Sequence, residues 1–251
     1  MGRPQTFETA AVVRAARAVF WRDGYELASL PDLEAATGLS RSSIYHAFGS
    51  KRGLFDAAVS SYLDEVVRPR LRPLTAAQVG PGAMDTYLTG LRAALAQPGS
   101  LPSTSGCLLI NAAGAPVGRD DAVRDVIAGY RAELRTAFGR GVAAHVAAHV
   151  AAHVADGQRG QRTEPTGAAA APGSGPVDVD DGHARAAHQE VLAETLTGLV
   201  VAALAVVRVD QPAALRLVDT AIELLGGTPA TPDPHATSGP TPSAPVASHR
   251  G

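Results

Sequence analysis

Apolar residues recur through most of this chain at intervals of three and four, the spacing of helices that bury one face, and they predict an all-α protein. Near the N-terminus the pattern marks a first helix on Val12, Val13, Ala16, Val19 and Phe20, and then two short helices on Leu30 and Leu33 and on Ile44 and Phe48. A longer helix follows on Leu54, Phe55, Ala58, Val59 and Tyr62. The two short helices carry their own start and stop signals. Ser29 is a good N-cap, Pro31 sits in the first turn where a missing N–H does no harm, and Gly38 can take the left-handed conformation that ends a helix. Leu39 then turns inward and Ser40 caps the second short helix. At about 100 degrees per residue, Ser42, Tyr45 and His46 point away from the side carrying Ile44 and Phe48. Two amphipathic helices meeting at a tight glycine turn read as a helix-turn-helix. Its outward face is small, polar and aromatic, and with Arg41 beside it fits a major groove, where hydroxyls, imidazole and guanidinium reach base edges and phosphates.

Two neighbouring features weigh against an ordinary helix pair with a solvated polar side. Ser50 and Lys51 open the next helix, placing an ammonium and free backbone N–H groups where phosphate binds well. Met1, Gly2, Arg3 and Pro4 form a short basic arm, expected to be flexible, of the kind that enters a minor groove.

The stretch from Phe7 to Tyr62 resembles the TetR/AcrR family of bacterial transcriptional regulators. The resemblance rests on the first-helix apolar positions, on Gly24-Tyr25, and on the run S-L-x-x-L…T-G-L-S-x-x-x-I-Y-x-x-F-x-S-K-x-x-L between Ser29 and Leu54. It implies that Tyr45 and Lys51 grip phosphates and that Arg41, Ser42 and Ser43 read bases. His46 fits either role. With Arg3 and Ser29 these make the candidate DNA-binding set. Glu34 and Ala47 depart from the commonest pattern, at positions where a small apolar residue and a His or Tyr are frequent.

Past Tyr62 the signals weaken. The helix from Lys51 is expected to stop at Pro69, in a segment where Arg68, Arg70 and Arg72 suit a helix C-terminus. Met84 to Ala96 reads as a helix, Leu101 to Gly106 as a loop, Cys107 to Ala115 as a short helix closed by Pro116, and Ala122 to about Val154 as one long helix. The last carries an apolar stripe on Val123, Val126, Ile127, Tyr130, Leu134 and Phe138, suited equally to a core or a ligand chamber. Asp156 to Gly182 is rich in Gly, Pro, Ala and Asp and predicts a flexible loop. Helices resume over about 183–207 and 212–226, and residues 228–251, rich in proline, read as a disordered tail. The domain expectation is thus a helix-turn-helix unit over 1–50 and a helical unit over 51–227, to which the TetR/AcrR resemblance assigns effector binding and dimerisation. The helix after His183 is apolar around more than one stripe, more than a surface helix needs. Pairing of two copies through it and its successor would form the homodimer that a palindromic double-stranded operator requires.

Composition refines this picture. The 251 residues are 45% apolar, enough for a sizeable core, and the net charge of −2 excludes a generally basic nucleic-acid binder. Residues 1–72 carry ten Lys or Arg against eight Asp or Glu, and the remainder twelve against sixteen, so the positive end holds the motif. One cysteine excludes an internal disulfide framework and fits a reducing cytoplasm. The start does not look like a signal peptide, no apolar run is expected to span a bilayer uninterrupted, and Leu192 to Val209 reads as a buried or interfacial helix.

Two features offer alternative chemistry. Cys107, in an apolar setting, could sense oxidants, although a packing role suits it better. His145, His149 and His153 repeat every four residues on one face, as in helical metal sites. Three in a row do not close easily around one ion, and an alanine-rich solvated helix accounts for them, so no metal is expected. Tyr87, Cys107, Tyr130 and Phe138 are the candidate effector contacts. With no HExxH, phosphate-binding glycine loop or paired-carboxylate motif, no enzyme and no cofactor are expected. The resulting expectation is an effector-responsive, DNA-binding regulator, most simply a repressor. A thiol- or metal-responsive regulator and a helical adaptor that never touches DNA are the alternatives.

Overall fold

The computed structural model describes residues 3–161 and 179–226, and every element among them is helical. α1 (Arg3–Leu27) packs its Ala16, Val19 and Phe20 face onto α4 (Lys51–Tyr62), where the Phe20 and Phe55 rings meet edge to face at 5.2 Å. α2 (Leu30–Thr37) and α3 (Arg41–Phe48) close the head by inserting Leu33 and Ile44, both fully buried, into the same core. The start of the chain differs from expectation, because the backbone is already helical at Arg3, with Pro4 in the first turn where its missing N–H leaves no bond unmade. Met1, Gly2 and the side chain of Arg3 lie outside the described residues.

Pro69 does not end the fourth helix. A π turn over Leu63–Val67 carries α4 into α5 (Arg68–Thr75), and the N–H of Arg68 reaches back five residues to the Leu63 carbonyl. That slip in register absorbs the missing prolyl N–H. The body then adds α6 (Ala83–Ala96), α7 (Leu101–Ser105), α8 (Leu108–Ala113) and a 3-10 turn (Pro116–Arg119). α7 stands where a loop is expected. Ser100 caps it and Pro102 fills an early position needing no N–H, so residues that look like loop chemistry are helix-start chemistry.

α9 (Asp121–Gln161), α10 (Val179–Val206) and α11 (Gln211–Glu223) complete the body. α9 runs into the expected loop as far as Gln161, and α10 begins at Val179, inside its far end. The rest of that loop, residues 162–178, and the expected tail lie outside the described residues. On α9, Tyr130, Leu134 and Phe138 enter the core, whereas Val126 is 38% exposed. Gly141 marks the crossing of α9 with α5 and α6, since a Cβ there would stand 2.6 Å from Leu74 and 2.9 Å from Met84.

α10 corrects the expectation about apolar runs. Gly182–Val206 is long and apolar enough by composition to cross a bilayer, with mean hydropathy 1.5. Its carboxylates Glu190 and Glu194, which look like interruptions in sequence, both pair with Arg135 of α9. Only 33% of that apolar window is buried, although α10 packs on α8, α9 and α11.

Candidate nucleic-acid interface

Local bonding fixes the two short helices before any distant contact does. Ser29 and Asp32 form a reciprocal capping box on α2, Gly38 ends it at φ 69°, and the Ser40 hydroxyl accepts from the Ser43 N–H at 3.3 Å to start α3. Ser29 is thereby committed to helix start. Glu34, the departure noted in the sequence, has a task of its own: its carboxylate accepts the backbone N–H of Arg41, the first residue of α3. A negative charge at that helix N-terminus is favourable, and it ties the two helices together across the turn.

On α3, Ile44 is fully buried and Phe48 partly so, while Arg41, Ser42, Ser43, Tyr45 and His46 are all exposed. The Arg41 guanidinium lies over the Tyr45 ring, 5.6 Å from its centre, and the hydroxyls of Ser42 and Ser43 lie 2.9 and 3.0 Å from that of Ser40. The expected outward face is therefore assembled as one surface. Beside it an open groove of about 850 Å³ runs between α1 and the α2–α3 turn, with Ser42, Ser43 and His46 on one wall and Thr9 and Val12 on the other.

Lys51 follows within one turn of Gly49, whose φ of 75° reverses the chain, and Ser50 caps α4 through the Gly53 N–H at 3.0 Å. Gly53 is a site residue that the sequence does not advertise. A Cβ on it would stand 2.0 Å from the Phe48 carbonyl oxygen, so only glycine lets α4 start so close to the end of α3. The Lys51 ammonium sits 4.7 Å from the centre of the Tyr25 ring and 3.4 Å from the Glu26 carbonyl oxygen.

The body holds a second candidate site of opposite character. Tyr62, Tyr87 and Tyr130 converge with Arg70 and Trp21 on a cavity of about 20 Å³, room for roughly one water. Burial raises the pKa of all three tyrosines above the usual range, so each hydroxyl stays protonated. Of the expected effector contacts, Tyr87 and Tyr130 line this space. Cys107 is fully buried, its thiol 4.0 Å from the Tyr130 hydroxyl. Phe138 stands behind, edge to face with Tyr87 at 5.0 Å, and acts as packing. Arg70 escapes the sequence reading because Pro69 makes it look like a helix end. Trp21 and Tyr62 escape it because they look like core, yet the Trp21 indole N–H donates to the Gly106 carbonyl at 3.0 Å and so shapes the cavity wall.

The histidine face forms no such cluster. The His145 and His149 rings lie 4.4 Å apart and His153 is exposed, and among the described residues no three metal-ligating side chains come together.

Against this geometry, residues 12–58 match the family model described as bacterial regulatory proteins, tetR family. The HTH-type transcriptional regulator YezE of Bacillus subtilis (strain 168) is 34% identical over 143 residues, covering 57% of this chain and 72% of that protein. The HTH-type transcriptional repressor ComR of Escherichia coli (strain K12) is 33% identical over 111 residues, 44% of this chain and 51% of the repressor. Among solved structures, a cysteine mutant of the TetR family transcriptional regulator CifR, complexed with 26bp double-strand operator DNA, superposes with a TM-score of 0.58 at 25% identity. That match covers 88% of this chain and 98% of CifR. A TetR-family transcriptional regulator from Streptomyces coelicolor shares the fold at a TM-score of 0.61 and 15% identity, over 88% of this chain and 95% of the other.

Proposed function

The chain belongs to the tetR family of bacterial regulatory proteins and is a DNA-binding transcriptional regulator, and from that premise we propose that it is a cytoplasmic repressor, binding a palindromic operator as a homodimer and released by a small effector. The observation that carries this reading is the exposed surface of Arg41, Ser42, Ser43, Tyr45 and His46 on a helix anchored by Ile44, with the Lys51 ammonium at the start of the next helix. Arg41, Ser42 and Ser43 face base edges, Tyr45 and Lys51 hold phosphates, and His46 lies between the two sets. The kinship with ComR, a repressor, and with CifR, seen on operator DNA, supports both the direction of regulation and the partner.

One copy of α3 spans half an operator. The apolar surface that α10 and α11 leave uncovered, with Val191 65% and Leu224 47% exposed, suits a second copy of this chain, and a two-fold dimer places two recognition helices one helical turn of DNA apart. The cavity where Tyr62, Tyr87, Tyr130 and Arg70 meet among aliphatic side chains, with Trp21 of α1 on its wall, is the seat we assign to an effector, which would have to widen it. An effector that widens it favours a spacing of the heads unsuited to the operator, and lowers DNA affinity by its differential affinity for the two states.

The test is capture of genomic fragments by the purified protein followed by footprinting. The expected outcome is enrichment of few fragments, each with two protected half-sites about 10 base pairs apart or a multiple of that. Capture of no fragment above background, with the protein folded, overturns the reading.

A further inference from the structure

The turn that carries Tyr25 and Glu26 is detached from the rest of α1. Gly24 adopts φ 80°, ψ 170°, which kinks the helix, and the Ala28 N–H donates to the Gly24 carbonyl at 3.2 Å to close the following turn. Lys51 is clamped on this turn, between the face of Tyr25 and the carbonyl of Glu26. An ammonium has three donors, and Glu26 takes one, so two serve a phosphate oxygen while the stem stays held. Partial burial lowers the Lys51 pKa below the usual lysine range, with the Glu26 carboxylate opposing that shift, as befits a side chain packed in place.

The body fixes this turn. The Glu26 carboxylate accepts the backbone N–H of Val117 at 2.7 Å, in the first turn of the 3-10 segment Pro116–Arg119, where a backbone donor has no partner within its own helix. Asp120, the cap residue that ends this segment, grips the residue after Lys51. Arg52 donates to Asp120 at 2.9 Å, and that pairing pulls the Asp120 carboxyl down to about 2. The 3-10 turn therefore holds both the clamp on Lys51 and its neighbour in the chain.

We propose that Glu26 is a positioning residue for DNA binding: its carboxylate, anchored on the Val117 N–H, fixes the Tyr25–Glu26 turn that aims Lys51 at the DNA backbone, and so makes the Lys51 grip answer to the 3-10 turn of the body. The proposal rests on Lys51 being a phosphate contact, as argued above. It assigns the body a direct hold on a DNA-contacting side chain, independent of the spacing between two heads.

The experiment measures binding of the full chain to a 30-base-pair mixed-sequence duplex across a range of salt. The proteins compared are the wild type, Glu26→Ala, Glu26→Gln, Lys51→Ala and the Glu26→Ala/Lys51→Ala pair. Glu26 is exposed, so these changes leave the fold intact, which thermal unfolding checks. Glu26→Ala is expected to weaken binding about threefold and to flatten its salt dependence, and the double variant to bind no worse than Lys51→Ala alone. Glu26→Gln keeps an oxygen for the Val117 N–H and should bind like wild type. The proposal is overturned if Glu26→Ala has no effect, if it weakens binding by the same factor when Lys51 is already gone, or if glutamine fails to rescue. Should Lys51→Ala itself leave binding unchanged, the phosphate role of Lys51 falls as well, which separates the two failures.

Discussion

In the head, Arg41, Ser42, Tyr45 and His46 stand exposed on one eight-residue helix, whereas in the body Tyr62, Tyr87, Tyr130 and Cys107 are turned inward from three helices and the cap of a fourth. The head surface needs only a short stretch of chain. Two serine caps, two glycines in the left-handed region and the Glu34–Arg41 bond hold it, all between Ser29 and Ser50. The body cavity is made by the crossing of α4, α5, α6 and α9 beneath α1 and α10, with the π turn and Gly106 completing its wall, and no segment of the sequence contains it. The contrast teaches that a surface built for contact with another molecule can be preorganised locally, while an enclosed polar space depends on the whole packing.

The strongest way to test that contrast is to break the body crossing and watch the head. Gly106 sits at φ 64°, ψ −120°, and a Cβ there would stand 2.1 Å from the Leu204 carbonyl oxygen, with the Trp21 indole on its own carbonyl. Gly106→Val imposes both backbone strain and a clash that backbone must absorb, and is expected to cost more than about 3 kcal/mol in urea unfolding. The loss should appear first at the cavity wall, as an early change in the fluorescence of Trp21, whose indole bonds the Gly106 carbonyl. A stability within about 0.5 kcal/mol of wild type would show that the crossing is not what sets the cavity.

Arg41→Ala addresses the head alone. The guanidinium is exposed over Tyr45, so the fold barely registers its loss, but a bidentate contact to a base is worth about 1–3 kcal/mol of discrimination. The expected result in a selection from randomised duplexes is relaxed preference at one base pair in each half-site, by roughly thirtyfold, or about 2 kcal/mol. Unchanged preference would move the reading role to Ser42, Ser43 or His46.

The same contrast explains what could be read in advance. The head was legible because its signals are local: Ser29, Gly38, Ser40 and the Ile44/Phe48 spacing each act within one turn, and every one of them takes the expected position. Gly53 was not legible, because its reason is a carbonyl on another helix. In the body, Pro69 and Pro102 misled for one cause. A proline breaks a helix where its missing N–H is needed and its ring meets the carbonyl four residues back, and a π turn in one case and a helix start in the other removed that conflict. Arg70 followed Pro69 into the wrong environment. The apolar stripe of α9 identified Tyr130 and Phe138 as inward-facing, yet nothing in its period could separate the cavity wall from the packing behind it.

Lys51 joins the two regions and gives the smallest expected effect. It stands on the head, is the single lysine among 22 basic residues, and is clamped by a turn that the body holds through Glu26. On the proposed phosphate role, Lys51→Ala should lower affinity for any duplex about fivefold, or about 1 kcal/mol, and flatten the slope of log affinity against log salt by about 0.9. Operator preference should not move, because a phosphate contact carries no sequence information. Arginine at this position is not an equal replacement: its planar guanidinium would have to fit between the Tyr25 face and the Glu26 carbonyl, where a compact ammonium now sits with donors to spare. Lys51→Arg should therefore keep the salt slope but lose part of the affinity, a split that loss of charge alone cannot produce. Wild-type affinity and salt slope in Lys51→Arg would mean that the clamp is irrelevant and that charge alone makes the grip.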